Sequence, residues 1–436
     1  MIRFQSNNAS RANLASLLFC AGCICSVAVN SAHAIDSQAS AAALNDLRNY
    51  LAREGNVTPE TATQAFADTA LTADDARAVI EALWQTRKEQ LREERQAEFQ
   101  AKQLQQGDLS MPFDYTVFGD KPAAGRSLFI SMHGGGGAPK RVNDQQWENQ
   151  KKLYQLDEGV YVAPRAPTDS WNLWHQAHID ELFTRLITDF VVFEEVNPNR
   201  VYITGYSAGG DGVYQLAPRM ADQLAAAGMM AGHPNETSPL GLRNLPFALH
   251  VGALDAAYDR NKVAGQWKEK LAELQRQDPD GYVHDAQLHE GRGHWMNREE
   301  AAALKWMAQY DRQRFPTKIV WVQDDVTHHR FYWLNLTDAD VRQRTEIIAS
   351  RDGQTFSINA PEGIHPQVLL SDEFVDLDQP LTIKLNGEQV FAGTPTRTIS
   401  VAVRTLLDRD DPAMTFSAMV STAIAPTAAS EESRTP

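Results

Sequence analysis

The stretch Val201–Gly212, V-Y-I-T-G-Y-S-A-G-G-D-G, constrains the fold more than any other part of the chain. Val201-Tyr202-Ile203-Thr204 is a β-branched and aromatic run that reads as a buried strand. Gly205-Tyr206-Ser207-Ala208-Gly209 then turns the chain into an apolar stretch suited to a helix. Side chains at Gly205 and Gly209 would clash with neighbouring backbone where a strand reverses sharply into a helix. The geometry raises the Ser207 hydroxyl above the C-terminal edge of a parallel sheet, with the helix N-terminus behind it. A chance G-x-S-x-G would lack this context; here the strand precedes it and the helix follows.

The chain has 436 residues, long enough for two or three domains, and its 43% hydrophobic and 22% charged residues suit a globular protein. Its N-terminus differs. Arg3 and Arg11 precede the apolar run Leu14–Val29, and Ser31-Ala32-His33-Ala34 follows. A basic region, a short apolar region and an A-x-A site describe a signal peptide cut after Ala34. The run is short and interrupted for a membrane anchor, and Cys20 and Cys23 lack the leucine-led setting of a lipoprotein site. The expected location is therefore secreted or periplasmic. Cys20, Cys23 and Cys25 all fall in this segment, so cleavage leaves no disulfide, thiolate metal site or cysteine nucleophile. Cleavage also removes two arginines and no acid, taking the net charge from −15 to −17. That excess disfavours nucleic acid and anionic membrane as partners.

Residues 35–107 have helical spacing and form an N-terminal extension, in which Thr72 caps a helix running through Ala76–Gln106 as a solvated element on or beside the main domain. Residues 108–315 alternate strands with helices. The strands are Phe113–Phe118, Ser127–Met132, Val160–Ala163, the run before Ser207, Phe247–Leu254 and Tyr282–Leu288; the helices include Ile179–Glu195, Lys262–Gln277 and a closing Glu299–Arg314. This alternation predicts a mostly parallel sheet covered on both faces. Residues 316–421 switch to strands, among them Arg330–Asn335 and Thr398–Val403, with hairpin turns at Asp352-Gly353 and Asn386-Gly387, which reads as a separate small β-sandwich. Residues 422–436 are small and polar, a disordered tail.

A serine hydroxyl needs a base, a group to orient that base, and donors for the oxyanion. Downstream of Ser207, Asp255 follows the strand Phe247–Leu254, and His294 lies in the loop Glu290-Gly291-Arg292-Gly293-His294-Trp295 after the next strand. Both sit past C-terminal strand ends, where open α/β sheets place their sites. His294 would move the Ser207 proton and Asp255 would fix its tautomer. Asp259 is the alternative orienter, four residues on; His289, inside the strand pattern, is structural. Gly291 and Gly293 leave the loop free to turn His294 back. For the oxyanion, one N–H comes from Ala208 and the other from the loop His133-Gly134-Gly135-Gly136-Gly137, with Gly135 the first choice and Gly134 the second. Lys140-Arg141-Val142 supplies no Walker pattern, so this is not a nucleotide loop.

H-G-G-G-G, G-Y-S-A-G, a strand-end Asp and G-x-G-H-W together resemble the α/β-hydrolase superfamily, and most nearly the secreted esterases around polyhydroxybutyrate depolymerases and feruloyl esterases. The resemblance covers about residues 111–315. It implies an α/β-hydrolase three-layer sandwich with a mostly parallel sheet, flanked here by the helical segment and the β-sandwich-like C-terminal domain. It also implies a serine hydrolase that cleaves a small-molecule or polymeric carboxylic ester through an acyl-enzyme, without a cofactor or metal.

Three further residues are candidates for lining the substrate cleft. Trp171 and Trp174, in an aromatic loop, would either wall a pocket or anchor the loop in the core; His233 ends another strand. Asp211 suits a helix start, as do His178 and Asp180. His328 and His329 are adjacent and face opposite ways on a strand, so they make no metal pair. Two other readings share these features: a prolyl-oligopeptidase-type peptidase, marked by a clamp for a terminal amine or carboxylate, and a polymer- or glycan-binding C-terminal module with an accessory hydrolase.

Overall fold

Alternate residues of the central strands feed two different cores, which makes three layers in the computed structural model, in which residues 35–423 are described. The expected leader, its cysteines and all but residues 422 and 423 of the tail lie outside that range. The central sheet contains β1 (Gln103–Gln106), β2 (Leu109–Phe118), β3 (Arg126–Met132), β4 (Gly159–Pro164), β5 (Val196–Tyr206), β6 (Ala226–Met230), β7 (Phe247–Gly252) and β8 (His284–His289). The helices are α1 (Ser37–Glu54), α2 (Ala73–Gln100), α3 (Lys140–Gln150), α4 (Ala177–Phe193), α5 (Ala208–Arg219), α6 (Arg260–Gln277), α7 (Ala302–Met307) and α8 (Ile399–Arg409). Among the described residues none is long and apolar enough to cross a membrane.

Leu128, Ile130, Val160, Val162, Val201 and Ile203 join the core that buries Ile179 of α4, Val213 of α5 and Trp267 of α6. Phe129, Tyr161, Tyr202 and Ala248, from the intervening positions, join Leu304 and Met307 of α7 in the other. The strand order is β1-β2-β4-β3-β5-β6-β7-β8, with β3 to β8 parallel and β2 antiparallel to β4. This is the α/β-hydrolase architecture expected from the motifs. The chain leaves β3 toward β4 on one side and resumes at β5 on the other. The loops after β3 and β5 therefore diverge, and a crevice opens at the switch point.

Several boundaries differ from those read in the sequence. The helix expected to reach Gln106 ends at Gln100, because Gln103–Gln106 pairs with Leu109–Pro112 as a hairpin. The expected boundary between residues 107 and 108 is the tip of that hairpin, so both strands belong to the sheet. α2 is not a solvated arm along its whole length. Leu91 and Phe99 are buried, Phe99 stacks on Phe193, and Arg95 pairs with Asp189, whose carboxyl burial holds up to about 6. The closing helix is shorter than Glu299–Arg314: a 3-10 turn over Glu299–Ala301 leads into α7, which ends at Met307.

The C-terminal region does contain two sheets. Lys318–Val322, Glu346–Asp352, Thr355–Asn359, Leu381–Leu385 and Glu388–Gly393 make one; Arg330–Phe331, Leu334–Asn335, Gln367–Leu370 and Ala418–Ser421 make the other. The single strand expected over Arg330–Asn335 is thus two short ones, reversed at Tyr332, whose φ is +53°. Thr398–Val403 is not a strand. Thr398 accepts the Val401 N–H as the cap of α8, and Ile399, Ala402, Val403 and Leu406 line one face at helical spacing. That face packs with Leu44, Leu47 and Leu51 of α1 and Val79 and Leu83 of α2, joining the two ends of the chain.

These extra sheets pack against the central one. Their buried Trp321, Trp333, Ile347 and Phe356 belong to the same core as the central sheet. Arg409 donates to Asp222 at 2.8 Å, a pair only 3% exposed on each side, and Arg312 pairs with Asp411 at 2.7 Å. Removing one partner strands a buried charge. Arg409→Leu is expected to cost about 3–5 kcal/mol by leaving Asp222 unpaired, read as a lower urea midpoint in one cooperative transition. Two transitions in the wild type would contradict the shared core.

Candidate active site

Ser207 stands between β5 and α5 with φ +59° and ψ −119°, a conformation outside the regions a side chain favours. Close packing on both sides enforces it. A Cβ at Gly205 would meet the Gly209 carbonyl oxygen at 2.2 Å, and one at Gly209 would meet the Met132 oxygen at 2.2 Å. The Ser207 N–H donates to Met230 O at 2.9 Å, tying the turn to β6.

The turn brings three distant residues together. Ser207 Oγ lies 3.0 Å from His294 Nε2, and His294 Nδ1 lies 2.7 Å from Asp255 Oδ2. With Nδ1–H donating to the carboxylate, Nε2 is left to accept the serine proton. The Asp255 side chain is 1% exposed and that of His294 44%, so the carboxylate is sealed and the imidazole faces the cleft. β7 ends at Gly252, three residues before Asp255. Leu254 N–H donates to Arg292 O, which clasps the two loops, and Asn261 N–H, from the first turn of α6, donates to Asp255 O.

The alternatives fall elsewhere. Asp259 is exposed and pairs with Lys262 at 2.7 Å. His289 is 3.0 Å from His250 and 3.3 Å from Glu299, away from the serine. Of the two loop glycines only Gly291 takes positive φ, at +69°; Gly293 does not need to be glycine for its backbone.

Gly135 lines a cleft with Ser207 and Ala208 follows the serine directly, and neither backbone N–H donates to an acceptor among the described residues. Gly134 is also close: a Cβ there would sit 3.2 Å from Ser207 Cβ. The glycine loop is braced by Asn143 of α3, a helix that sequence reading missed because it holds few apolar residues. Asn143 Oδ1 accepts the Gly136 N–H at 2.8 Å, and its amide donates to Ala138 O and Asp169. Gly135, at φ +108°, is required here because a Cβ would lie 2.1 Å from that oxygen.

Buried His133 opens the loop. Its Nδ1–H donates to Gly134 O at 2.6 Å and its Nε2 accepts the Ala166 N–H at 3.1 Å. Burial holds its pKa at about 4 against an ordinary 6.5, so the folded protein binds fewer protons than the unfolded chain between those values. Stability is therefore expected to fall as pH drops through that window, His133 contributing about 1.4 kcal/mol per pH unit. Urea titrations from pH 7 to 4 check this: the slope should flatten by that amount in His133→Gln.

Tyr206, the variable residue before the serine, was not singled out from sequence. Its hydroxyl donates to His294 O at 2.6 Å and accepts the Met296 N–H at 3.1 Å, so it pins the histidine loop to the serine turn. Burial raises its pKa well above the usual tyrosine range. No local pattern announces such a contact across 88 residues.

Two clefts meet at Gly135. The larger, about 660 Å³, is lined by Ser207, His294, Trp295 and Leu153. The smaller, about 250 Å³, is lined by Ala208, Trp171, His233, Tyr258 and Arg260. Trp171 and His233 both line this smaller cleft. Asp211 accepts the His233 N–H at 2.6 Å, and burial pushes its carboxyl up to about 6. Trp174 is not a pocket residue: it is fully buried against Phe183 and Gly212, its Nε1–H donating to His133 O at 2.9 Å. Trp174→Ala is expected to destabilise the fold by about 3–5 kcal/mol, whereas Trp171→Ala, at 64% exposure, should leave the denaturation midpoint nearly unchanged and raise KM.

His178 and Asp180 do open α4, but Asp180 is also buried, paired with Arg219 at 2.6 Å and His328 at 2.9 Å. His329 turns to Asp338 instead. Among the described residues one group of acids, Glu236, Asp324 and Asp325, has carboxylate oxygens within 4.8 Å of one another; it lies outside both clefts and no ion is implied by an acidic surface group alone.

No family model and no curated protein matches the sequence. Solved structures do. A thermostable esterase is 18% identical, with 48% of this chain and 62% of that one covered and a TM-score of 0.38. The feruloyl esterase module from Clostridium thermocellum is 13% identical, over 48% and 86%, with a TM-score of 0.36. Thermogutta terrifontis esterase 2 is 16% identical, over 47% and 89%, with a TM-score of 0.35. This chain thus spans less than two thirds of the first of these structures.

Proposed function

We propose that the protein is a serine hydrolase that cleaves carboxylic esters, with Ser207 as nucleophile, His294 as general base and acid, and Asp255 as the group that orients His294. The observation that carries this is the unbroken line Ser207 Oγ, His294, Asp255 at 3.0 and 2.7 Å, set at the end of a strained strand-to-helix turn. Ser207 Oγ attacks the ester carbonyl carbon as its proton passes to His294 Nε2. The carbonyl oxygen, now anionic, is held by the Gly135 and Ala208 N–H groups. His294 returns the proton to the alcohol oxygen, the carbon–oxygen ester bond breaks and the alcohol leaves. Water repeats the sequence on the acyl-enzyme, giving the acid and free Ser207.

An ester substrate is favoured by what surrounds the line. Three large apolar side chains with exposures of 50–78% line the clefts beside Ser207, Trp295 in the larger and Trp171 and Tyr258 in the smaller. Exposed apolar groups in one place mark a docking surface for an apolar ligand. Among the described residues, none of α1 or α2 lines either cleft. The test is turnover of p-nitrophenyl acetate, butyrate and octanoate by the wild type and by Ser207→Ala. Turnover lost in the variant supports the reading; a folded wild type inert to every ester, yet active on peptides, sinks it in favour of a peptidase. Export through residues 1–34 belongs to the same proposal and is checked by the N-terminus of the protein recovered outside the cytoplasm, which should be Ile35.

A further inference from the structure

We infer that Arg260 determines acyl specificity, and that the acyl group this site takes carries a free carboxylate, as in a half-ester of a short dicarboxylic acid; this rests on the ester reading above. The two clefts assign the two halves of the substrate. The leaving oxygen must come within reach of His294 Nε2, and His294 lines only the larger cleft. The acyl substituent therefore extends past Gly135 and Ala208 into the smaller one, which Arg260 lines.

Seven arginines are buried among the described residues, and six of them, Arg165, Arg219, Arg243, Arg312, Arg397 and Arg409, pair with an aspartate of this chain. Arg260 is the seventh. It is 9% exposed, its Nε has no hydrogen-bond partner, and no carboxylate lies within 4.0 Å of its nitrogens. Its guanidinium rests over the Tyr258 ring at 4.8 Å, and its one protein acceptor is Ala257 O, at 3.5 Å. A charge so buried is costly unless an anion meets it. Asp211 shares the cleft and acts on Arg260 through space, but it accepts the His233 N–H and makes no direct ion pair with Arg260. A guanidinium fork suits a carboxylate in bidentate fashion. Trp171 and Tyr258 flank the path, and about 250 Å³ leaves room for a short chain or one ring.

The test compares monomethyl glutarate and monomethyl adipate with the methyl esters of the matching monocarboxylic acids, hydrolysis being followed by pH-stat. The wild type should prefer the half-esters. The half-ester to neutral-ester ratio of kcat/KM should fall about ten- to a hundredfold in Arg260→Met, chiefly through KM, and less in Arg260→Lys. Asp211→Asn, which removes the competing charge, should raise that ratio. Acetate esters of hydroxy acids carry the carboxylate on the alcohol side, and their turnover ratio should not follow Arg260. Should Arg260→Met fail to fold, inhibition of the wild type serves instead, with glutarate binding at least about tenfold more tightly than butyrate. A wild type that cleaves neutral methyl esters without preferring half-esters, or a ratio that Arg260→Met leaves in place, overturns the anion site and spares the ester reading. A wild type that cleaves neither class overturns the reading beneath it.

Discussion

Ser207→Ala should lower kcat for ester hydrolysis by on the order of 10⁶ while the far-UV circular dichroism stays that of the wild type. The size follows from the nucleophile acting as a unit with His294: without Oγ there is no acyl-enzyme, and only the oxyanion donors and substrate binding remain. The same position should report strain. At φ +59° and ψ −119° Ser207 occupies backbone space that a Cβ disfavours, at a cost of order 1–3 kcal/mol. Ser207→Gly should therefore be as inactive as the alanine variant and yet more stable than the wild type by about 1 kcal/mol in urea titration, the glycine's greater unfolded entropy offsetting part of the relief. Equal stability of the three proteins would mean that the turn is unstrained.

The second large effect is expected at Asp255. Its carboxylate is 1% exposed and accepts His294 Nδ1–H at 2.7 Å, which leaves Nε2 as the acceptor of the Ser207 proton. Asp255→Asn keeps the shape but presents an N–H or a weaker oxygen, favouring the tautomer in which Nε2 carries hydrogen and cannot act as base. A fall in kcat of about 10⁴ is the scale for that change. Asp259→Asn is the control, because its carboxylate lies in solvent paired to Lys262; its kcat should stay close to the wild-type value. Steady-state kinetics of the two variants decide between the two acids, and a larger loss at Asp259 would reverse their assignment.

How much of this was legible in the sequence depended on how local each constraint is. The serine turn was legible because its demands fall on five consecutive residues: two close backbone approaches need Gly205 and Gly209, and the strand and helix adjoin them. Asp255 and His294 were legible from their places past strand ends, since a parallel sheet gathers those ends along one edge. Trp171 and Trp174 show the limit. They lie three residues apart in one loop, and only tertiary packing sends one outward and the other under the sheet. Thr398–Val403 was misread because six residues fit alternation and helical spacing alike; continuing to Leu406 resolves the period. The shift in composition after Pro316 marks the extra sheets, whereas the core they share with the central sheet is a matter of packing alone. The lone buried charge of Arg260 and the hydroxyl clasp of Tyr206 were illegible for the same reason: each is defined by which groups stand near it in space.

The most direct measurement is the covalent intermediate itself. Wild-type protein mixed with p-nitrophenyl butyrate, quenched in acid within the first turnovers and mapped by mass spectrometry, should carry one butyryl group on the peptide that contains Ser207. Ser207→Ala should carry none. A butyryl group on another side chain, or steady turnover with Ser207 unmodified and no burst of p-nitrophenol, would contradict the nucleophile assigned here.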